Sequence, residues 1–411
     1  MHLDFMSVLN YQGSKKSLTE FIHEYSSSLL SHGQTLLDIF SGTCSVGYSF
    51  KRTNRVYAND CEEYAYIISK ALLGNNTTSS LQSILSDINS AFEINMNRVT
   101  LPYKTLITQE TQILSNTSVM ETKAFYDAVP TVWNGQAKAL HGVYELFIRY
   151  YSTTYFGLLQ AAEIDSLRFA IERYKGTEMF AYLLTALYFA MKECVFAKDG
   201  HMAQPLDIGK NFSKMLKQRK KSIFNLFQSK LPEFFSEEFV ASAFSNKVFN
   251  LDFEALLDLP EIQHDIDMIY ADPPYTDMQY SRYYHLLNFV TRYEPLPLTV
   301  VGGGYTKGRY TEGRYQSKLS VKSTCLDTFA TLIDFSHDFH KNLIISFAYP
   351  IDVTEQKTDR YVMSIDSLIN ACVSRFGAGS VEVNSCDYTH TNNRNSKQKR
   401  VHEYLIACKS N

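Results

Sequence analysis

Seven short apolar runs punctuate the chain, and they gather towards its two ends. They are "TLLDIF" (35–40), "RVYAND" (55–60), "KVFNLD" (247–252), "MIYAD" (268–272), "NLIISFA" (342–348), "VEVNSC" (381–386) and "EYLIAC" (403–408). Continuous apolar stretches of this length, interleaved with helical segments, predict strands buried on both faces of a mostly parallel sheet. Seven of them make one α/β domain.

Between residues 91 and 244 the period changes. "IDSLRFAIERY" sets Ile164, Leu167, Ile171 and Tyr174 on one helical stripe. The run "MFAYLLTALYFAM" follows, from Met179 to Met191. It falls short of the roughly 20 residues a bilayer span needs, so it predicts a buried core helix. A mainly helical block is thus inserted between the second and third strands. Parallel-sheet crossovers tolerate such insertions because both ends emerge at the surface.

A length of 411 residues suits two or three domains, and 45% hydrophobic with 20% charged residues argues for a soluble, ordered chain. A net charge of -3 carries no global basic signature, so any contact with nucleic acid must rest on local patches. The seven cysteines are odd in number and none sits at metal-ligand spacing. That predicts reduced thiols, a cytoplasmic location and no metal. The opening "MHLDFMSVLNYQGSK" has no charged-then-apolar leader pattern, so no membrane attachment is expected.

The ends of the strands carry the chemistry. "LLDIFSGTCSVGYSF" (36–50) reads as strand, turn and helix, with Asp38 closing the strand and Gly42 and Gly47 freeing the backbone to approach a ligand. The spacing is neither a dinucleotide G-x-G-x-x-G nor a P-loop. The second strand ends at Asp60 and the third at Asp252, followed by Phe253. Taken singly, Asp60 and Asp252 read equally well as helix caps. The fourth ends at Asp272, followed by Pro273, Pro274 and Tyr275. Successive acids along one rim exceed what capping requires, and open α/β sheets bind ligands at that rim. A ligand with a ribose diol, an exocyclic amine and a cationic centre would use all of them.

These residues resemble a known family. "DIFSGTCSVG" looks like the cofactor loop of S-adenosylmethionine-dependent methyltransferases, and "DPPY" like the catalytic tetrapeptide of those that methylate an exocyclic amine. "NYQGSKKSL" (10–18) resembles the N-terminal cofactor segment of Dam-like N6-adenine DNA methyltransferases, and the order of motifs is theirs. "STTYFG", "IDSLRFAIE", "GHMAQPL" and "DPPYTDMQYSRYYHLL" look closest to the modification enzymes of type IIS restriction systems. One departure is "SGTCSVG", where many members have a shorter turn.

The resemblance implies a Rossmann-like seven-stranded methyltransferase sheet with one antiparallel edge strand and an inserted, mainly helical target-recognition domain. It divides the chain into 1–90, the cofactor-binding part of the core; 91–244, the insert; and 245–411, the catalytic part. It carries Tyr11, Gly13, Ser14 and Lys15 to the methionine end of S-adenosylmethionine, with Asp38, Phe40 and Gly42 lining the same pocket. Asp60 is expected at the ribose and Asp252 with Phe253 at the cofactor adenine. Asp272 and the Pro273 carbonyl are expected to polarise the target amine, with Pro274 stiffening the loop and Tyr275 stacking on the base. The expected substrate is a flipped-out adenine in double-stranded DNA. The competing expectations are RNA as substrate, or a catalytically silent DNA-binding relative. Any cognate restriction endonuclease would be a separate polypeptide, and a monomer acting on one strand is expected.

Three basic stretches are candidate DNA contacts, although any one charge run is more often a solvated face. They are "KMLKQRKKS" with Lys217, Arg219 and Lys220, "YTKGRYTEGRY" with Lys307, Arg309 and Arg314, and "NNRNSKQKR" with Arg394 and Lys397. Arg282, just after DPPY, joins them. His285 reads as a packed helix residue rather than a base.

Overall fold

The computed structural model describes residues 15–74, 80–129, 142–198, 201–236, 239, 242–350, 359–390 and 399–410. Each of the seven apolar runs forms a strand. They are β1 (Thr35–Asp38), β2 (Arg55–Asn59), β3 (Lys247–Phe249), β4 (Met268–Ala271), β5 (Asn342–Pro350), β6 (Val381–His390) and β7 (Lys399–Cys408). They pair in the order β3-β2-β1-β4-β5-β7-β6. The first five run parallel, and β7 is antiparallel to both β5 and β6. The antiparallel strand is therefore not at the edge, as expected, but second from it. The last two strands fold back on each other, and the outgoing strand β6 takes the edge while β7 fills the gap beside β5.

Side chains on successive strand residues point to opposite faces. Leu36, Val56, Ala58, Met268, Tyr270 and Ile344 join one apolar cluster; Leu37, Tyr57, Ile269, Ala271, Leu343 and Ile345 join another. Both faces of the sheet are thus covered, which is why these strands read as unbroken apolar runs. Over Val381–Asp387, β6 is largely exposed.

The faces are covered unequally. Helices Thr19–Ser26 (α1), Ser45–Phe50 (α2) and Glu63–Leu73 (α3) supply part of the first cluster. The remainder comes from the segment between β2 and β3, including Leu81–Thr100 (α4), Leu158–Glu172 (α5) and Glu178–Cys194 (α6). α6 is the run "MFAYLLTALYFAM", buried nearly all round. It packs on α3, so much of the insert shares a core with the sheet, while Tyr126, Phe196 and Met215 form a small cluster of the insert's own. α4 passes unbroken through residue 90 and packs along α5. A boundary at residue 91 would therefore fall inside α4. Ile164, Leu167 and Ile171 lie on α5; Tyr174 lies past its end and donates to Asp87 Oδ2 at 2.9 Å.

Among the described residues no helix is long and apolar enough to cross a membrane.

Candidate active site

The carboxyl ends of β1, β2 and β4 open into a cleft. Its walls include Lys15, Asp38, Phe40, Gly42, Asp60, Glu62, Phe253 and the whole of Asp272–Pro273–Pro274–Tyr275.

The turn after β1 is tight. Gly42 and Cys44 both have left-handed backbones, φ 51° and 57°, a conformation that costs a non-glycine residue. The turn is held by acids on either side. Asp60 Oδ2 accepts from Gly42 N at 2.9 Å and its Oδ1 from Glu62 N at 2.9 Å. Asp38 Oδ2 accepts from Gly47 N at 3.0 Å. A Cβ on Gly47 would sit 3.1 Å from Cys44 Sγ and 3.2 Å from Asp38 Oδ2. Gly47 thus lets α2 approach β1, and it lies away from the cleft lining; the expectation that it frees the backbone towards a ligand is corrected.

Asp272 follows β4 directly, and its side chain keeps 20% exposure. Lys15, in the turn Lys15–Leu18 ahead of α1, places Nζ 2.8 Å from Asp272 Oδ1 and 3.2 Å from Glu403 Oε1. Lys15 is 5% exposed and Glu403 1%. Lys15 Nζ also lies 5.9 Å from the centre of the Tyr275 ring. Tyr275 stacks on Tyr361 at 6.2 Å and meets Phe347 edge-on at 6.1 Å. The Tyr275 carbonyl accepts from Val362 N at 3.2 Å, so the end of the tetrapeptide is fixed to a neighbouring segment.

Carboxylates crowd this cleft, and burial raises their pKa values. Asp38 rises to about 7, opposed by the Gly47 hydrogen bond and pushed further by Asp272 and Asp60. Glu62 also rises to about 7, with Asp60 adding to the effect of burial. Asp272 rises to about 6 through burial, against the pull of Lys15. Burial works against the charged form of Lys15, yet the two carboxylates hold its ammonium well above the ordinary lysine range.

Phe40 and Phe253 meet edge-to-face at 5.4 Å on the opposite wall. Asp252 is not among the lining residues. Its Oδ1 accepts from Glu254 N at 3.0 Å as a helix cap, and its Oδ2 from the Tyr315 hydroxyl at 2.5 Å. Tyr315 does line the cleft. Tyr11, Gly13 and Ser14 lie outside the described residues, as do Arg394 and Lys397.

The basic candidates separate clearly. Lys217, Lys220 and Lys307 are exposed. Arg219 is buried at 6% exposure; it donates to the carbonyls of Tyr155 at 2.9 Å and Thr154 at 3.0 Å. Arg309 donates to the Tyr150 carbonyl at 2.5 Å, and its burial depresses its pKa. Both are withdrawn as phosphate contacts, because their guanidinium groups are spent on internal carbonyls. Arg282 and Arg314 lie over the Tyr310 ring, at 5.2 and 4.6 Å. Tyr310 in turn donates to the Ala203 carbonyl at 2.5 Å. The loop of residues 305–315 is thereby joined to the stretch "GHMAQPL" and to the segment after DPPY. His285 is buried beneath them, bonded to Tyr155 and Met202 and pushed down to about 3. It is a packed histidine.

Local spacing did not reveal Glu62, Tyr280, Tyr315 or Glu403. A signal for Glu403 does exist. Alternation along β7 puts it on the same buried face as Leu405 and Ala407.

A doubly covered sheet of this order, with an acid-lined cleft at its carboxyl rim and DPPY in the wall, is a Rossmann-like methyltransferase. The chain belongs to the D12 class of N6 adenine-specific DNA methyltransferases, whose family model matches residues 11–198 and 205–296. It is 26% identical over 407 residues to the type II methyltransferase M.NlaIII of Neisseria lactamica, covering 97% of this chain and 98% of that protein. It is 24% identical to the modification methylase LlaI of Lactococcus lactis subsp. lactis, covering 98% of this chain but 55% of that one. Type II methyltransferase M.FokI of Planomicrobium okeanokoites matches at 24% over 70% of this chain and 37% of its own length. These assignments favour DNA over RNA and an active enzyme over a silent relative.

Proposed function

We propose that this chain methylates N6 of an adenine flipped out of double-stranded DNA at a specific site, with S-adenosylmethionine as donor, as the modification partner of a cytoplasmic restriction system. The observation that carries the reading is Asp272 at the end of β4, facing a cleft rich in carboxylates with Lys15 as its lining cation.

The cleft suits this cofactor by charge and shape. Asp38, Asp60 and Glu62 favour a ligand bearing cationic groups, and Phe40, Phe253 and Tyr315 offer flat walls to a purine. We assign Tyr11, Gly13, Ser14 and Lys15 to its methionine end, Asp38, Phe40 and Gly42 to the same pocket, and Asp60 to the ribose. Phe253 faces the adenine, with Asp252 acting through the Tyr315 it holds. When bound, S-adenosylmethionine supplies an electrophilic methyl carbon on a sulfonium.

The N6 lone pair of adenine is delocalised into the ring, so the amine is a poor nucleophile. Asp272 and the Pro273 carbonyl each accept one of its two N–H bonds and draw the nitrogen towards tetrahedral geometry. Pro273 and Pro274 fix φ near −65° and offer no competing N–H. Tyr275 stacks on the base, worth roughly 1–3 kcal/mol. The polarised N6 would thus be presented to the methyl carbon that the bound donor would supply, with Asp272 placed to take the proton that N6 gives up. A base inside a duplex cannot reach this position, so the adenine is extruded.

The insert reads the sequence, and Lys217, Lys220, Lys307, Arg282 and Arg314 meet phosphates or the strand around the cleft. Labelled S-adenosylmethionine offered with plasmid DNA and with structured RNA tests the reading. Transfer to DNA at one recurring motif is expected; transfer confined to RNA would refute it.

A further inference from the structure

Glu403 lies on β7, in the part of the chain beyond the family match. It is 1% exposed, and a carboxylate taken so far out of water needs a partner. It has two. Lys15 Nζ lies 3.2 Å from its Oε1, and the Ser346 hydroxyl donates to the same oxygen at 2.5 Å. Ser346 belongs to β5, one strand away, so the seat is built from the sheet rather than from a loop. Lys15 is shared: its other carboxylate partner is Asp272 Oδ1 at 2.8 Å. One ammonium therefore bridges two acids, one in the cleft and one behind it.

The arrangement solves a conflict in the site. Asp272 must remain an ionised acceptor in a buried place, which calls for a nearby cation. A cation held by Asp272 alone would compete with the amine that Asp272 has to receive. A second carboxylate behind the cation relieves the competition. It draws the ammonium back, keeps it charged and leaves a lone pair of Asp272 pointing into the cleft. Ser346 keeps Glu403 from turning away.

We propose that Glu403 is a positioning residue for methyl transfer: it anchors Lys15 behind Asp272, so that the target amine and the ammonium share the Asp272 carboxylate instead of competing for it. The assignment rests on the reading of Asp272 as the group that accepts the target amine. Glu403 touches neither substrate nor cofactor; it holds Lys15 in place, and its charge also bears directly on Asp272.

The test is a double-mutant cycle with Glu403→Gln and Lys15→Met, followed by methylation of duplex DNA in single turnovers at saturating cofactor. Glu403→Gln alone is expected to lower the rate roughly tenfold, by leaving Lys15 to Asp272. In the Lys15→Met background the same change should cost under about threefold, because there is no ammonium left to anchor. The pH profile supplies a readout that a packing defect would not move. Asp272 faces Lys15, Glu403, Asp38, Tyr270, Tyr275 and Tyr280. Loss of the Glu403 charge should shift the acid limb of the Glu403→Gln profile to lower pH. Loss of Lys15 should shift it to higher pH. Equal losses in both backgrounds, or an unmoved acid limb, would overturn the assignment. If Glu403→Gln does not fold, Ser346→Ala decides: a smaller shift of the same sign supports the anchor, and a wild-type profile refutes it. Wild-type methylation of the same duplex is measured alongside, so failure of the anchor is distinct from failure of the adenine-N6 reading.

Discussion

Lys15 and Asp272 form an ion pair at 2.8 Å, the ammonium buried and the carboxylate half-buried, joining the N-terminal turn to the end of β4. Burial lifts Asp272, the Glu403 carboxylate adds to that lift, and Lys15 is the main opposing influence. Removing the ammonium should leave the carboxyl protonated well above pH 6, and a protonated Asp272 cannot accept both roles asked of it. Lys15→Met is therefore expected to move the acid limb of kcat upward and to lower the rate at pH 7 by roughly tenfold or more. An acid limb that stays in place would contradict this.

Cofactor affinity should depend on pH for a separate reason. Asp38 and Glu62 both sit near 7 in the free cleft. A ligand with cationic groups favours their ionised forms, so binding should release protons. Affinity should weaken as pH falls from 8 to 6, and calorimetry in buffers of different ionisation enthalpy should detect the protons released. Binding that is independent of pH across this range would count against the acid-lined pocket.

The same burial affects stability. Asp38 has its pKa raised from 3.8 to about 7, so between those values the folded state holds a proton that the unfolded chain has lost. Its contribution to stability is complete below the lower value and disappears as pH rises through the higher one. Asp38→Asn keeps an oxygen for Gly47 and cannot ionise. Its Tm should exceed that of the parent by about 2–6 °C at pH 8 and match it near pH 4. A variant that is less stable at pH 8 would contradict the assignment of cost to ionisation.

Basic residues should divide by burial. Arg219→Ala removes two donors from internal carbonyls and should destabilise the fold by about 2–4 kcal/mol, read from denaturant unfolding. Lys307→Ala should leave stability unchanged and reduce the salt dependence of DNA binding by a slope of about 1. The reverse pattern would restore Arg219 as a phosphate contact.

Much of this fold could be read along the chain, because strands covered on both faces advertise themselves as unbroken apolar runs. All seven are found where those runs lie. The position of β7 could not be read, since strand neighbours are fixed by a hairpin closing on a distant partner and not by local period. The acids at the rim were visible at strand ends: Asp38, Asp60 and Asp272 line the cleft together. Asp252 followed the same pattern and yet caps a helix and holds Tyr315 instead of lining the cleft. Arg219 and Arg309 looked like their exposed neighbours because a charge run says nothing about which of its members a fold swallows. Glu403 was hidden by sequence distance, as its partners lie at the start of the chain and on β5.

The central claim is that the Asp272 carboxylate receives an adenine amine for methylation. Asp272→Ala should still bind S-adenosylmethionine within about tenfold of the parent, while methyl transfer to duplex DNA falls by roughly 10³-fold or more. The direct measurement is mass analysis of nucleosides from DNA incubated with each protein. N6-methyladenine from the parent and none from the variant is the predicted result. Methylated cytosine as the product, or N6-methyladenine from Asp272→Ala at the parent's rate, would contradict it.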